Sequence, residues 1–241
     1  MAEQKYIVGI DVGGTFTDLL CLNTESQELL SEKVPSIPGK QWEGVLGALE
    51  KLGIDYSEIR AFVHGTTIAT NALLERKGAK TGLVTTDGFR DTLEIGRTRR
   101  LIGGLFDIKF VRPKPLVSRD LRLEVNERVA ADGEILKSAD EVDFAPIMEK
   151  FRENGVETIA IAFMNAYRND ANETAALEKL EALAGDIPVC ASTGVVPEKG
   201  EFERFSTCVL NAYLTPIISG YLQTLASELE GQGISAPVNV M

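Results

Sequence analysis

Short apolar runs recur along the chain, and most are near-continuous, as is typical of strands that are covered on both faces of a sheet. They predict strands over 5–12, 15–22, 28–34, 60–64, 81–85, 157–163 and 187–192. The first three follow one another directly, whereas the later ones alternate with helical segments. Because a doubly wound fold would alternate from the start, we expect an α/β fold with a mixed sheet and flanking helices, antiparallel at one edge and parallel in the middle.

Helical spacing of apolar residues predicts helices over 42–52, 66–77, 170–184 and 200–230. Glycines follow the first three of them, as they do at many helix C-termini. Asp170 and Glu173 form the pattern of a capping box at the start of the third. The last helix contains Pro216, which we expect to kink it.

The middle of the chain lacks a clear period. Glycine and proline pairs interrupt residues 86–120, and the stretch "LRLEVNERVAADGEILK" (121–137) then alternates, turns at Asp132-Gly133 and returns. This second pattern predicts a hairpin. We therefore expect residues 86–137 to form an irregular region with a hairpin, inserted into the fold.

The stretch "GIDVGGTFTD" (9–18) places two glycines between the first two predicted strands. A dinucleotide-binding fingerprint needs its glycines between a strand and a helix. Here strand-forming residues follow the glycines, which excludes a dinucleotide-binding fingerprint. Gly13 and Gly14 suit a type I′ turn with positive φ at both positions, a structural explanation that needs no ligand.

A second hypothesis for the same stretch is a phosphate-binding hairpin. Asp11 lies just before the turn and is placed to hold Mg²⁺ through water. Glycine amides and the hydroxyl of Thr15 or Thr17 donate to phosphate oxygens in this interpretation.

The net charge of −11 argues against binding to nucleic acid or to an anionic membrane, since both need a broad basic surface. No apolar run has the length of a membrane span, and the N-terminus lacks a signal-peptide pattern. The three cysteines are too scattered for a disulfide framework or a zinc site. We predict a cytoplasmic protein.

Basic residues concentrate in one segment of this acidic chain. Residues 87–120 contain eight arginines and lysines against five acidic residues. Such a segment faces an anion, a partner subunit or only solvent, and its composition does not choose among these.

Four quoted stretches resemble known families. "GIDVGGTFTD" is similar to the first phosphate motif of the actin-like ATPase superfamily. "HGTTIATNALLERKGAKTGLVTTDGFRDTLEIGR" (64–97) and "PEKGEFERFSTCVLNAYLTP" (197–216) resemble the hydantoinase A/5-oxoprolinase branch, as does "LRLEVNERVAADGEIL". Relatives in that branch include acetone and acetophenone carboxylase subunits.

The resemblance implies an actin-like (ribonuclease H-like) fold and an enzyme that uses ATP and Mg²⁺. It implies opening of cyclic amides such as hydantoins or 5-oxoproline, or carboxylation of ketones, through phosphoryl activation. Asp11 would be the catalytic carboxylate on the Mg²⁺ side, and Gly13, Gly14 and Thr15 would contact phosphate, with Thr17 as a further nucleotide-binding residue.

His64, the single histidine, ends the fourth predicted strand and precedes a helix that begins near Thr66. Since helix N-termini bind anions, Thr66, Thr67 and Asn71 are candidate substrate- or anion-binding residues. The threonines are equally explained as caps, Asn71 as a brace and His64 as a core histidine. For His64 we predict a catalytic role, as a proton shuttle or as a hydrogen-bond partner of the substrate.

Two arginines follow the next predicted strand. Arg90 and Arg97 have the chemistry to clamp a carboxylate or phosphate, and Glu94 is placed to orient one of them. A solvated charge cluster explains the same residues.

The chain ends in "SAPVNVM", a strand-like run without an evident partner. Members of the family continue there into a second actin-like half, so we expect 1–234 to be a first domain and 235–241 the start of a second. The isolated chain should then bind ATP weakly and turn over negligibly.

We weigh three functions: a hydantoinase- or oxoprolinase-type hydrolase, a ketone carboxylase subunit, and a non-catalytic nucleotide-binding assembly subunit. A second subunit or a C-terminal domain is the expected partner.

Overall fold

The computed structural model describes residues 4–37, 39–97, 109 and 113–241. The chain divides into two compact units. The first contains Met1–Lys77 and Ile217–Met241, and the second is Gly78–Pro216.

The described residues form strands and helices that follow the predicted order. The strands are β1 (Tyr6–Val12), β2 (Phe16–Asn23), β3 (Leu29–Pro35), β4 (Ile59–Thr66), β5 (Thr81–Thr86), β6 (Arg122–Val125), β7 (Arg128–Val129), β8 (Ile135–Lys137), β9 (Thr158–Ala162), β10 (Val189–Ala191) and β11 (Val238–Val240). The helices are α1 (Gln41–Leu52), α2 (Ile68–Leu74), α3 (Thr92–Ile95), α4 (Ala145–Glu153), α5 (Ala171–Ala184), α6 (Ser192–Val195) and α7 (Glu201–Gly231). None of these described helices has the length and apolar character needed to cross a bilayer.

The first unit contains a five-stranded mixed sheet in the order β11-β4-β1-β2-β3. Strands β1, β2 and β3 pair antiparallel, whereas β4 pairs parallel to β1. Alternate residues of β2 are buried, so one face of the strand packs on the core and the other faces solvent. The mixed α/β class is confirmed, with its antiparallel edge and its parallel middle.

The second unit has a sheet of its own. Strands β10, β9, β5 and β6 lie in this order and all pair parallel. The later predicted strands thus pair with one another and form a parallel sheet separate from the mixed sheet.

The predicted hairpin over 121–137 is half correct. Strands β7 and β8 pair antiparallel around Asp132-Gly133, as expected. Strand β6 instead pairs parallel to β5, from Leu83 with Arg122 to Thr86 with Val125. Its partner lies far back in the chain, so the local alternation of 121–129 was misleading. Residues 98–108 and 110–112 of the predicted insertion lie outside the described residues.

The end of the chain forms β11, which pairs parallel to β4. The Met241 amide also donates to the His64 carbonyl at 2.9 Å. The run that we expected to lack a partner is thus the fifth strand of the first sheet. That residues 235–241 open a second domain stays a prediction.

The predicted capping box of α5 is wrong. Glu173 is fully buried, and its carboxylate accepts hydrogen bonds from the Phe163 amide and from the hydroxyls of Ser192 and Thr193. The side chain therefore joins α5 to its neighbours in the second unit and does not cap its own helix.

Candidate functional site

The end of β1 presents a carboxylate at the surface of the first unit. Asp11 is exposed and lies between Asp18 of β2 and Gly65 of β4 in the sheet register. A Cβ atom on Gly65 would come within 3.3 Å of Asp11 Oδ1. Glycine at this position therefore leaves the Asp11 carboxylate the room that a side chain would take.

The turn after β1 differs from the predicted type. Neither Gly13 nor Gly14 has the positive φ that a type I′ turn requires, so this expectation is wrong. Gly13 is needed for another reason, since a Cβ atom there would lie 3.0 Å from the Phe16 carbonyl oxygen. Its amide donates to the same oxygen at 3.0 Å. The Gly13 amide is thus used inside the turn, whereas Gly14 and Thr15 are exposed.

Thr17 lies beneath this turn. Its side chain is fully buried, and Oγ1 is 3.0 Å from Ser36 Oγ. Ser36 Oγ donates to the Gly13 carbonyl at 2.8 Å, so the Thr17 hydroxyl is the donor to Ser36. The Ser36 amide donates to the Thr15 carbonyl at 2.9 Å. Thr17 thus occupies a bracing position, and its contact with a nucleotide stays a prediction that this geometry does not favour.

The start of α2 is tied to the end of β1. The amide and the hydroxyl of Thr67 reach the Val12 carbonyl at 3.3 and 3.4 Å. Asn71 Nδ2 donates to Thr67 Oγ1 at 3.4 Å, and a Cβ atom on Gly14 would be 3.5 Å from the same nitrogen. The structure therefore brings the Asn71 amide beside the glycine turn, close to the predicted phosphate contacts.

Thr66 supports the same helix start from the position before Thr67, the N-cap residue of α2. Its Oγ1 accepts a hydrogen bond from the Ile68 amide at 3.2 Å. Since α2 has only seven residues, its dipole adds little to anion binding at this end. A direct role of Thr66 in substrate binding stays a prediction.

His64 is fully buried on the opposite face of β4 from Gly65. Its Nε2 lies 2.9 Å from the Tyr221 hydroxyl of α7. Among the described residues, Nδ1 has no hydrogen-bond partner. Burial lowers the pKa of His64, and the nearby Asp11 carboxylate opposes this effect. The ring is therefore neutral at physiological pH, and its predicted catalytic role remains a prediction.

The predicted arginines belong to the second unit, and each has a carboxylate partner. Arg97 makes two hydrogen bonds of 2.7 Å to Glu203, which raise the pKa of the Arg97 guanidinium. Arg90 Nε lies 3.4 Å from Glu124 Oε2. Glu94 contacts Arg122 Nη1 at 3.0 Å, so the carboxylate expected to orient Arg90 or Arg97 pairs with a third arginine.

The residues around the turn fit Mg²⁺ bound mainly through phosphate and water. Within the described residues, no three His, Cys, Asp or Glu side chains form a metal-binding cluster. Mg²⁺ commonly binds proteins through one or two carboxylates and completes its shell with water and substrate phosphates. A single exposed carboxylate at Asp11, next to backbone without side chains, matches this pattern.

Comparison with known proteins gives consistent matches. Residues 7–183 match the family model described as "Hydantoinase/oxoprolinase N-terminal region". An uncharacterised protein of Methanocaldococcus jannaschii is 38% identical over 98% of this chain and 35% of its own. The caprolactamase subunit alpha of Pseudomonas jessenii is 35% identical, with the same coverage. The acetophenone carboxylase gamma subunit of Aromatoleum aromaticum is 31% identical over 94% of this chain and 33% of its own.

A solved structure agrees with these sequence matches. The crystal structure of the ATP-dependent caprolactamase from Pseudomonas jessenii superposes with a TM-score of 0.86 at 33% identity. The superposition covers 97% of this chain and 35% of the other. The chain thus spans about a third of the length of the curated relatives that it matches.

Proposed function

The chain belongs to the hydantoinase/oxoprolinase family, and on this premise we propose that it is the nucleotide-binding part of an ATP-dependent enzyme that opens cyclic amides. The complete enzyme would activate the amide oxygen by phosphorylation, so that water can attack the adjacent carbon. A C-terminal domain or a second subunit would supply the rest of the site. We place the enzyme in the cytoplasm.

One observation carries the proposal: an exposed carboxylate lies beside a turn that contains two glycines. Asp11 would hold Mg²⁺ through water, and the backbone amides of Gly14 and Thr15 would donate to phosphate oxygens. Asn71 Nδ2, close to Gly14, would add a side-chain donor to the same anion. Bound Mg-ATP would supply the phosphoryl group, and the residues of the chain would position and neutralise it.

The buried residues beneath the site would serve positioning. Ser36 donates to the Gly13 and Thr15 carbonyl groups and accepts from Thr17, and these bonds would hold the turn in place for phosphate. His64, bonded to Tyr221, anchors the strand that carries Gly65 next to Asp11. A stiff turn aligns its donors before the phosphate arrives, which is the main source of catalysis in phosphoryl transfer.

The test is ATP hydrolysis by the complete enzyme with its partner, stimulated by caprolactam, hydantoin or 5-oxoproline. We expect Asp11→Asn to lower the stimulated rate by about a hundredfold, since it removes the charge that holds the metal. Asp18→Asn is the matched control, because Asp18 faces Asp11 across the hairpin but is paired with Lys33 at 2.7 Å. We expect Asp18→Asn to change the rate less than about threefold. Equal rates for Asp11→Asn and wild type would refute the proposal.

A ketone carboxylase subunit is the second candidate. The 31% identity to the acetophenone carboxylase gamma subunit over most of the chain favours it. The two candidates separate in one assay: a carboxylase would release phosphate only with a ketone and bicarbonate, whereas a hydrolase would respond to a cyclic amide alone. An enzyme that binds ATP but responds to neither would instead be an assembly subunit.

A further inference from the structure

A cavity of about 410 Å³ lies in the second unit, and Arg97 is among the residues that line it. Its wall is formed by two segments distant in sequence, residues 88–97 after β5 and residues 200–202 at the start of α7, together with Met164. We propose that this cavity binds the substrate, and that it selects a small uncharged carbonyl compound over an anionic one. The inference rests on the proposed function, whose substrate class it narrows.

The charged side chains of the described wall are already neutralised. Each forms an ion pair within the second unit: Asp91 with Arg119 at 2.9 Å, Arg97 with Glu203 at 2.7 Å, and Glu201 with Arg204 at 2.5 Å. A carboxylate that enters the cavity would lose water without gaining an unpaired positive partner from this wall. An uncharged amide or ketone avoids that cost.

The remaining wall residues are suited to an apolar body. Phe89, Ile95, Met164 and Phe202 all line the cavity. Cavities of about 300–1,000 Å³ accommodate typical small-molecule ligands. A lactam ring of six or seven atoms fits both this size and this lining.

Glycines allow the two segments to approach each other. Gly96 has a φ of +57°, and a Cβ atom there would lie 3.5 Å from the Phe202 ring. Gly200 has a φ of +125°, and a Cβ atom there would lie 3.4 Å from Arg97 Nη2 of the other segment. Both backbone conformations disfavour any other residue. The backbone of this wall therefore depends on glycine at both positions.

The position of the wall in the sequence supports a functional role. Its two segments fall within 64–97 and 197–216, the stretches that carry the resemblance to the family. More than a hundred positions separate Gly96 from Gly200 in the chain, yet both line one cavity.

Ligand-observed NMR without ATP tests the site directly, using the complete enzyme with caprolactam and 5-oxoproline as probes. We expect caprolactam to bind and 5-oxoproline to bind at least about tenfold more weakly. Ile95→Trp fills the cavity and should weaken caprolactam binding by about tenfold or more. The matched control is Leu136→Trp, because Leu136 is exposed to a similar extent on the β7–β8 hairpin. It should leave binding unchanged.

The outcomes separate the cavity from the proposed function. Unchanged caprolactam binding in Ile95→Trp, or 5-oxoproline binding as tight as caprolactam binding, overturns the cavity assignment even if ATP hydrolysis is normal. Conversely, caprolactam that binds as expected but never stimulates ATP hydrolysis refutes only the proposed function.

Removal of one negative charge beside the cavity tests whether the paired charges cause the selectivity against anions. Glu203→Gln removes the carboxylate that neutralises Arg97 and should improve 5-oxoproline binding relative to caprolactam by about threefold to fivefold at low salt. Glu178→Gln, at an exposed glutamate of the same unit, makes the same change in net charge and should not improve it. If Glu203→Gln leaves the ratio of the 5-oxoproline and caprolactam affinities unchanged, the pairing of Arg97 with Glu203 is not the cause of the selectivity.

Discussion

The two units bury their central strands differently. In the first unit β2 alternates, with Thr17, Leu19 and Cys21 buried and the residues between them exposed. In the second unit every residue of β5 and of β9 is buried. A sheet with one solvated face can present polar groups to a ligand, whereas a sheet covered on both faces must pair any polar group within the protein.

The polar residues follow this difference. Asp11, Gly14 and Thr15 lie exposed at the end of β1, the central strand of the first sheet, where we propose that they bind nucleotide. In the second unit Glu173 and Arg204 are buried, and hydrogen bonds join them through Ser192. The comparison predicts that substitutions of the exposed polar residues at the end of β1 cost activity, and that substitutions of the buried Glu173–Arg204 network cost stability.

The largest effect is expected for Arg204→Ala. This guanidinium bonds Ser192 Oγ at 3.0 Å, contacts the Phe163 carbonyl and pairs with Glu201. Its loss leaves buried acceptors and a carboxylate without their donor, and should lower the free energy of unfolding by about 3–5 kcal/mol. Chemical denaturation followed by circular dichroism measures it.

Arg168→Ala is the matched control for this prediction. Arg168 is an exposed arginine of the same unit, so its removal should barely change the denaturation midpoint. Equal midpoints for Arg204→Ala and Arg168→Ala would mean that the buried network contributes nothing to stability.

Alanine substitutions at one glycine of each unit have a smaller expected effect and compare the packing around the two positions. A Cβ atom on Gly82 of β5 would lie 2.7 Å from the Phe151 ring, whereas one on Gly47 of α1 meets no described atom within 4 Å. Gly82→Ala should therefore destabilise the protein by about 1–3 kcal/mol through overpacking. Gly47→Ala should stabilise it by about 0.5–1 kcal/mol, since alanine favours a helix interior. Thermal denaturation gives both signs, and a stabilising Gly82→Ala would contradict the close packing.

The sequence predicted the elements better than their partners. Strand positions followed from local apolar runs, which need no knowledge of the rest of the chain. The partner of Arg122–Val125 did not, because its pairing with β5 joins segments that are distant in sequence. Glu173 shows the same limit, since a helix start with a glutamate at the third position looks like a capping box until its buried partners are known.

The candidate site was predicted from the sequence only in its local part. Asp11 and the glycine pair form one continuous motif, so they were found, although the backbone conformation of the turn was not. Ser36 and Tyr221 were missed, because they reach Gly13 and His64 from 23 and 157 positions away. A serine after a strand and a tyrosine in a helix carry no local signal for such contacts.

The smallest predicted effect compares a buried titratable group of each unit. Burial lowers the pKa of His64 in the first unit, so the unfolded chain binds a proton there more readily than the folded one. Its contribution to stability should therefore fall as the pH drops below about 6.5. Burial raises the pKa of Glu127 in the second unit, despite hydrogen bonds from Thr86 and Asn172. The neutral Glu127 side chain therefore contributes to stability below about pH 4. This contribution should fall as the pH rises through the pKa that Glu127 has in the folded protein.

Denaturation midpoints of wild type, His64→Phe and Glu127→Gln between pH 4 and 8 separate the two contributions. Relative to wild type, His64→Phe should gain stability as the pH falls from about 7 to 5, because it has no ring nitrogen to protonate. Glu127→Gln should gain relative to wild type as the pH rises from about 4 to 7, because the amide stays neutral. Opposite changes of the two variants with pH would support the comparison. The first unit buries a histidine that is destabilised by protonation, and the second buries a glutamate that is destabilised by deprotonation. Parallel slopes would show that burial does not control both groups, and the contrast between the units would then rest on packing alone.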